Sequence, residues 1–146
     1  MENKTNELNL SPHITLGEVT KSKHVEIYNV PNHEAIENLK RVCVWLEVLR
    51  ARCGPIIINS GYRSKELNKK VGGSPTSNHL TGCAVDIRVV DVKQAMRYAV
   101  VLMDYADETQ QDYDELLIER NQSGTYWLHF AVRAKDNRNK TRFIQT

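Results

Sequence analysis

A chain of 146 residues that is 40% hydrophobic can bury the core of one ordinary domain without covalent staples. Its 20 lysines and arginines against 18 aspartates and glutamates leave a net charge of +2, too little to drive nucleic-acid binding, and no run of about eighteen apolar residues is present to cross a membrane. Cys43, Cys53 and Cys83 form neither an even set nor a CxxC pair, which excludes a disulfide framework or cysteine-ligated zinc and reads as buried thiols of a reducing compartment.

The opening MENKTNELNL is polar and has no apolar signal-peptide core, so residues 1–13 read as a polar arm on a protein made in the cytoplasm without an export signal. Thr15 followed by Glu18 is a capping-box pattern for a short helix over residues 15–22. Ile36, Leu39, Cys43, Leu46 and Leu49 recur at helical spacing, with Asn32 as cap and Gly54-Pro55 as stop, which predicts a core helix over residues 34–52. Ile56, Ile57 and Ile58 read as a short buried strand before the turn-forming Asn59-Ser60-Gly61.

Ser64 can cap a second helix ending near Val71, stopped by Gly72-Gly73. Residues 74–82 are small, polar and helix-breaking; residues 84–90 follow as a strand. Asp91 and Gln94 start a third helix through about Tyr105, with Ala95, Tyr98, Val101 and Leu102 on one face. Residues 113–120 and 126–133 flank Asn121-Gln122-Ser123-Gly124 and predict an antiparallel hairpin. Residues 134–146 read as a solvated basic tail. Helices and strands do not alternate regularly, so the expected architecture is a single α+β domain built on an antiparallel sheet with flanking helices.

Of five histidines, His13, His24 and His33 lie in the polar N-terminal third and read as solvated or turn residues. His79 sits in the glycine- and serine-rich loop, Asp86 on the strand that this loop feeds, and His129 on the last predicted strand. If the two strands are neighbours, the three side chains converge. Two imidazoles and a carboxylate are a standard set for catalytic zinc, with a fourth position for a water whose pKa falls to about 7, although the set admits other divalent metals. Spacing alone leaves ordinary structural roles open for all three: a loop hydrogen bond for His79, a cap for Asp86, a half-buried strand position for His129.

The wider pattern adds to this. Ser60-Gly61-Tyr62-Arg63-Ser64, then Asn68 and Val71-Gly72-Gly73, then Ser77-Asn78-His79-Leu80-Thr81-Gly82-Cys83-Ala84-Val85-Asp86, and finally Trp127-Leu128-His129 closely resemble, in order, the zinc D-alanyl-D-alanine carboxypeptidase family. That family shares its fold with the hedgehog signalling domain and several phage endolysins. The resemblance runs from about Ile14 to Val132, since ITLGEVTKS also looks like the opening of small phage-type members. It implies one zinc ion held by His79, Asp86 and His129, and an Arg63 that faces the substrate and holds a peptide carboxylate or an oxyanion. Ser77 and Tyr62 are expected to shape the loop or touch the ligand, and Trp127 to form a wall of the cleft or part of the core.

One departure concerns the general base. The glutamate found three residues before the last histidine in some members is Tyr126 here, so Glu119 is the first candidate and Asp114 the second. Strand alternation puts these two on opposite faces. Cys83, of opposite parity to Asp86 among apolar neighbours, is neither ligand nor nucleophile.

The resemblance implies a monomeric zinc peptidase acting on peptidoglycan stem peptides, either at a D-alanyl-D-alanine bond or at an L-alanyl-D-glutamate-type bond. A chain without a signal peptide fits a phage or prophage lysis enzyme that reaches the wall through a membrane pore. The alternative is a zinc-containing binding or assembly module without turnover, which the absence of glutamate at position 126 keeps open.

Overall fold

The computed structural model describes residues 8–146, in the order β1 (Asn9–Ser11), β2 (Ile14–Thr15), α1 (His33–Cys53), β3 (Ile58–Ser60), α2 (Lys65–Lys70), a 3-10 helix (Asn78–Thr81), β4 (Ala84–Arg88), α3 (Val92–Thr109), β5 (Glu115–Arg120), β6 (Tyr126–Ala131) and β7 (Lys140–Gln145). The fold is α+β. Strands β1 and β2 form a small hairpin, and the other five form a sheet in the order β3-β4-β6-β5-β7.

The helices begin and end where the local chemistry puts them. Asn32 accepts the Ala35 N–H at 2.9 Å to open α1, and Gly54, at φ 90°, closes it with its own N–H on the Arg50 carbonyl. Ser64 and Asp91 cap α2 and α3 through Leu67 N–H and Gln94 N–H. In α1 the apolar stripe buries Leu39, Val42, Trp45, Leu46 and Leu49. Trp45 meets Tyr105 of α3 edge-on at 5.0 Å and Phe130 of β6 at 5.3 Å, which fastens both long helices to one side of the sheet.

That side is fixed by alternation. Val85 and Ile87 of β4, Leu128 and Phe130 of β6, and Leu116 and Ile118 of β5 enter the core. Their neighbours Asp86, His129, Glu115, Leu117 and Glu119 project from the other face and line a cleft. The site is thus assembled on the sheet surface that no long helix covers.

Four sequence expectations are corrected. The sheet is mixed, because β7 runs parallel to β5, although its other three ladders are antiparallel. Residues 134–146 are not simply a solvated tail: Lys140–Gln145 pair with β5 from Glu115↔Lys140 to Arg120↔Gln145. The pairing begins because Asn139 donates its N–H to the Tyr113 carbonyl while its side chain accepts from the Tyr113 N–H, and Lys140 N–H reaches the Asp114 carbonyl. Thr15 and Glu18 do exchange the reciprocal bonds of a capping box, at 3.1 and 3.2 Å, but residues 16–20 form consecutive turns rather than a helix. Strand β3 lies two residues later than expected, since pairing with β4 sets Ile58 opposite Ile87 and draws Ser60 opposite Asp86.

Of the polar arm expected over residues 1–13, residues 1–7 lie outside the described residues, and Asn9–Ser11 form β1. Ser11 Oγ and the His13 backbone N–H both donate to Glu47 of α1, at 2.6 and 2.7 Å. Cys43 and Cys83 are buried thiols as expected, whereas Cys53 is exposed. Burial pushes the Cys43 thiol up to about 12. Among the described residues no helix is long and apolar enough to cross a membrane.

Gly82 ends the 3-10 helix at φ 77°, and a Cβ there would lie 2.5 Å from the Ala35 carbonyl oxygen. Gly82→Ala is therefore expected to destabilise the fold by about 1–3 kcal/mol in urea denaturation. A neutral substitution would show that the loop carrying His79 is not held against α1 in this way.

Candidate functional site

Strand β4 carries Asp86 and strand β6 carries His129, and the two are paired directly across the antiparallel ladder. The pairing brings Asp86 Oδ1 to 3.0 Å from His129 Nδ1. His79 arrives from above on the 3-10 helix, where Ser77 caps the first turn by accepting the His79 N–H at 3.1 Å. Its Nε2 stands 3.3 Å from Asp86 Oδ2. Each of the three residues offers a ligand atom, and those atoms all lie within 4.8 Å of one another.

The remaining ring nitrogens are occupied. His79 Nδ1–H donates to the Gly61 carbonyl at 2.7 Å, because a carbonyl can only accept, and this directs Nε2 toward Asp86. His129 Nε2 lies 2.9 Å from Glu115 Oε1. The two rings stand 5.2 Å apart at 64°. Such outward bonds fix the orientation and tautomer of metal-binding histidines. The donor set, its convergence and its orientation all fit a tetrahedral zinc with one position free for ligand.

Arg63, three residues beyond β3, leans over Asp86 with Nη2 3.4 Å from Oδ2. Its other nitrogens donate to Ser60 Oγ at 3.2 Å and Asn68 Oδ1 at 3.1 Å, so the side chain braces the turn as well as facing the cleft. The cleft has a volume of about 700 Å³ and is lined by Arg63, Ser77 and Trp127 along with the triad. Tyr62 is a correction: its ring packs against the core and borders a separate small pocket with Asn32 and Leu80.

Of the two base candidates, Glu119 reaches the triad, with Oε2 4.0 Å from His129 Nδ1. Burial raises its carboxyl above the ordinary range, which suits a group that must take up a proton. Asp114 does not join it. It precedes β5, is completely buried, and accepts from Arg138 Nε at 3.0 Å, Arg138 Nη2 at 2.8 Å and Asn78 Nδ2 at 2.7 Å. Burial opposes its ionisation, but the Arg138 fork, with Asn78 and Arg133, draws it down to about 2.

Asp86 is likewise disfavoured by burial, yet the two imidazoles hold its carboxyl well below the usual range. His129 is pushed up to about 10, because Asp86 and Glu115 on its two nitrogens outweigh the burial that opposes its charge. The sequence reading missed Glu115 as well as Arg133, Arg138 and Lys140, which all line the cleft. For Glu115 the signal was available, since a strand residue four before Glu119 shares its face.

The sequence profile of the Peptidase M15 family matches residues 9–114. The chain belongs to this family. Its members are zinc peptidases of the D-alanyl-D-alanine carboxypeptidase type that act on peptidoglycan peptides, so membership points to a metallopeptidase. The match includes His79, Asp86 and Arg63 and ends before β5 and β6, so Glu119 and His129 rest on the geometry above. A comparison with curated proteins finds no match.

Asp114 makes the fold sensitive to acid. Its pKa is depressed from the ordinary 3.8 to about 2, so its contribution is present above pH 3.8 and lost as pH falls through 2. Urea unfolding of the wild type should therefore show stability falling across this window. Asp114→Asn should be less stable at pH 6 and show a shallower fall between pH 4 and 2. Parallel curves for the two proteins would contradict the pairing with Arg138.

Proposed function

We propose that the chain is a zinc-dependent peptidase that hydrolyses peptidoglycan stem peptides, with one zinc ion held by His79, Asp86 and His129. The observation that carries the proposal is the direct pairing of Asp86 with His129 beneath His79, in an open cleft of a Peptidase M15 chain. Bound by these three side chains, zinc would supply Lewis acidity toward the scissile carbonyl and would make water more acidic.

The chain's own residues do the rest. Glu119 accepts the proton of the attacking water as general base, supported by its approach to the triad and its raised pKa. Arg63 presents a fixed guanidinium to the substrate, as a clamp on a peptide carboxylate or a partner for the oxyanion formed on attack. Its bonds to Ser60 and Asn68 hold the fork in place before substrate arrives. Trp127 forms part of the wall along which the peptide lies, and Ser77 holds the His79 loop.

Both D-alanyl-D-alanine carboxypeptidase and L-alanyl-D-glutamate-type endopeptidase activity accord with this arrangement. A phage or prophage lysis role, with action at the wall after release through a pore, is part of the same proposal. The binding-module alternative, favoured by Tyr126, loses ground to the placement of Glu119, which supplies a carboxylate beside the triad from β5 instead.

The test is release of new amino groups and D-alanine from purified cell-wall sacculi, with and without chelator. Wild-type hydrolysis should stop with chelator and return with zinc. Glu119→Ala should lose about 10²–10⁴-fold in kcat while keeping one zinc per chain. Arg63→Ala should lose about 10²–10³-fold. Hydrolysis that survives the chelator would overturn the zinc mechanism, and zinc-loaded protein inactive on every stem peptide would favour the binding module.

A further inference from the structure

Glu115 takes no part in the hydrolysis proposed above. It stands on the cleft face of β5, four residues before Glu119, and its Oε1 lies 2.9 Å from His129 Nε2. On the opposite edge of the same ring, Nδ1 faces Asp86 at 3.0 Å and Glu119 at 4.0 Å. Two carboxylates of one strand thus attend opposite nitrogens of one imidazole. A neutral imidazole that offers one nitrogen to a metal keeps its proton on the other, and that N–H needs an acceptor to hold the ring in place.

Glu115 is itself held. Asn78 Nδ2 donates to Glu115 Oε1 at 2.8 Å and to Asp114 Oδ2 at 2.7 Å. Arg138 Nη2 lies 3.5 Å from Glu115 Oε2 while it clasps Asp114 at 2.8 Å. Asn78 directly precedes His79 in the chain. The bracket therefore ties the loop that delivers His79 to the strand that delivers His129, and its last member comes from the segment leading into β7.

We propose that Glu115 is a positioning residue, which accepts the His129 Nε2–H and so presents Nδ1 to the metal, with Asn78 linking this carboxylate to the His79 loop. The inference rests on the zinc reading above. It divides labour along β5: Glu119 on the metal side of the ring serves hydrolysis, and Glu115 on the far side serves metal affinity.

The experiment measures zinc affinity of the full chain by competition with a chromophoric chelator, with the absorption spectrum of the cobalt-substituted protein as second readout. Glu115→Ala should bind zinc about 10–100-fold more weakly with wild-type far-ultraviolet circular dichroism. Glu115→Gln, which keeps an oxygen to accept from Nε2–H, should stay near wild type in affinity and cobalt spectrum. Glu119→Ala should keep wild-type affinity while hydrolysis falls.

Wild-type affinity with an unchanged cobalt spectrum in Glu115→Ala would overturn the inference and leave the zinc site standing. So would a Gln variant as weak as the Ala variant. A wild-type protein that binds no zinc would overturn both readings. If Glu115→Ala fails to fold, Glu115→Leu, which fills the same space without an acceptor for Nε2–H, takes its place and should show the same loss of about 10–100-fold, wild-type affinity overturning the inference.

Discussion

The candidate site depends on one register. Asp86 lies opposite His129 because β4 and β6 pair from Ala84↔Ala131 to Arg88↔Trp127. A slip of one residue would turn one of the two side chains into the core. What prevents the slip is the apolar content of the same strands: Val85 and Ile87, with Leu128 and Phe130, fill the space beneath α1 and α3. The chemistry on one face is therefore aligned by packing on the other. His79 is added to this pair by a separate device, a 3-10 turn capped by Ser77 and closed by Gly82 against α1.

Charge balance explains why so many ionisable groups share one cleft. Asp86, Glu115 and Glu119 are three carboxylates around two imidazoles and Arg63. Two of those carboxylates, Asp86 and Glu115, face opposite nitrogens of the one buried His129 ring. An ion pair so poorly solvated is a costly way to stabilise a fold, and its arrangement makes sense as a receptor for a cation. The Asp114–Arg138 pair is different: a buried carboxylate is held by a half-exposed guanidinium, and this explains why the base comes from β5 itself rather than from the turn before it.

Much of this was legible in the residues. The long helices were, because Asn32, Gly54 and Asp91 punctuate a regular apolar period. The triad was legible as three residue types, but its convergence required the ordered motifs around it and a strand adjacency that no local pattern states. Strand β7 was hidden by its composition: KTRFIQ reads as a basic tail, and its pairing depends on Asn139 and Arg138 meeting Tyr113 and Asp114, some 25 residues away. Strand β3 was misplaced because Asn59-Ser60 carries turn chemistry, and pairing with β4 overrides it. Tyr62, expected from the ordered motif to shape the loop or touch the ligand, turns its ring to the core, while Arg63 faces the cleft. Glu115 was legible too, because its parity with Glu119 on β5 places it on the same face.

The account stands on a metal held between β4, β6 and the His79 loop, and a crystal structure of the purified chain with anomalous data collected at the zinc edge tests it most directly. The account predicts one anomalous peak bonded to His79 Nε2, a carboxylate oxygen of Asp86 and His129 Nδ1, with His129 Nε2 on Glu115. A peak elsewhere, a metal on His129 Nε2, or no peak in protein supplied with zinc would contradict it.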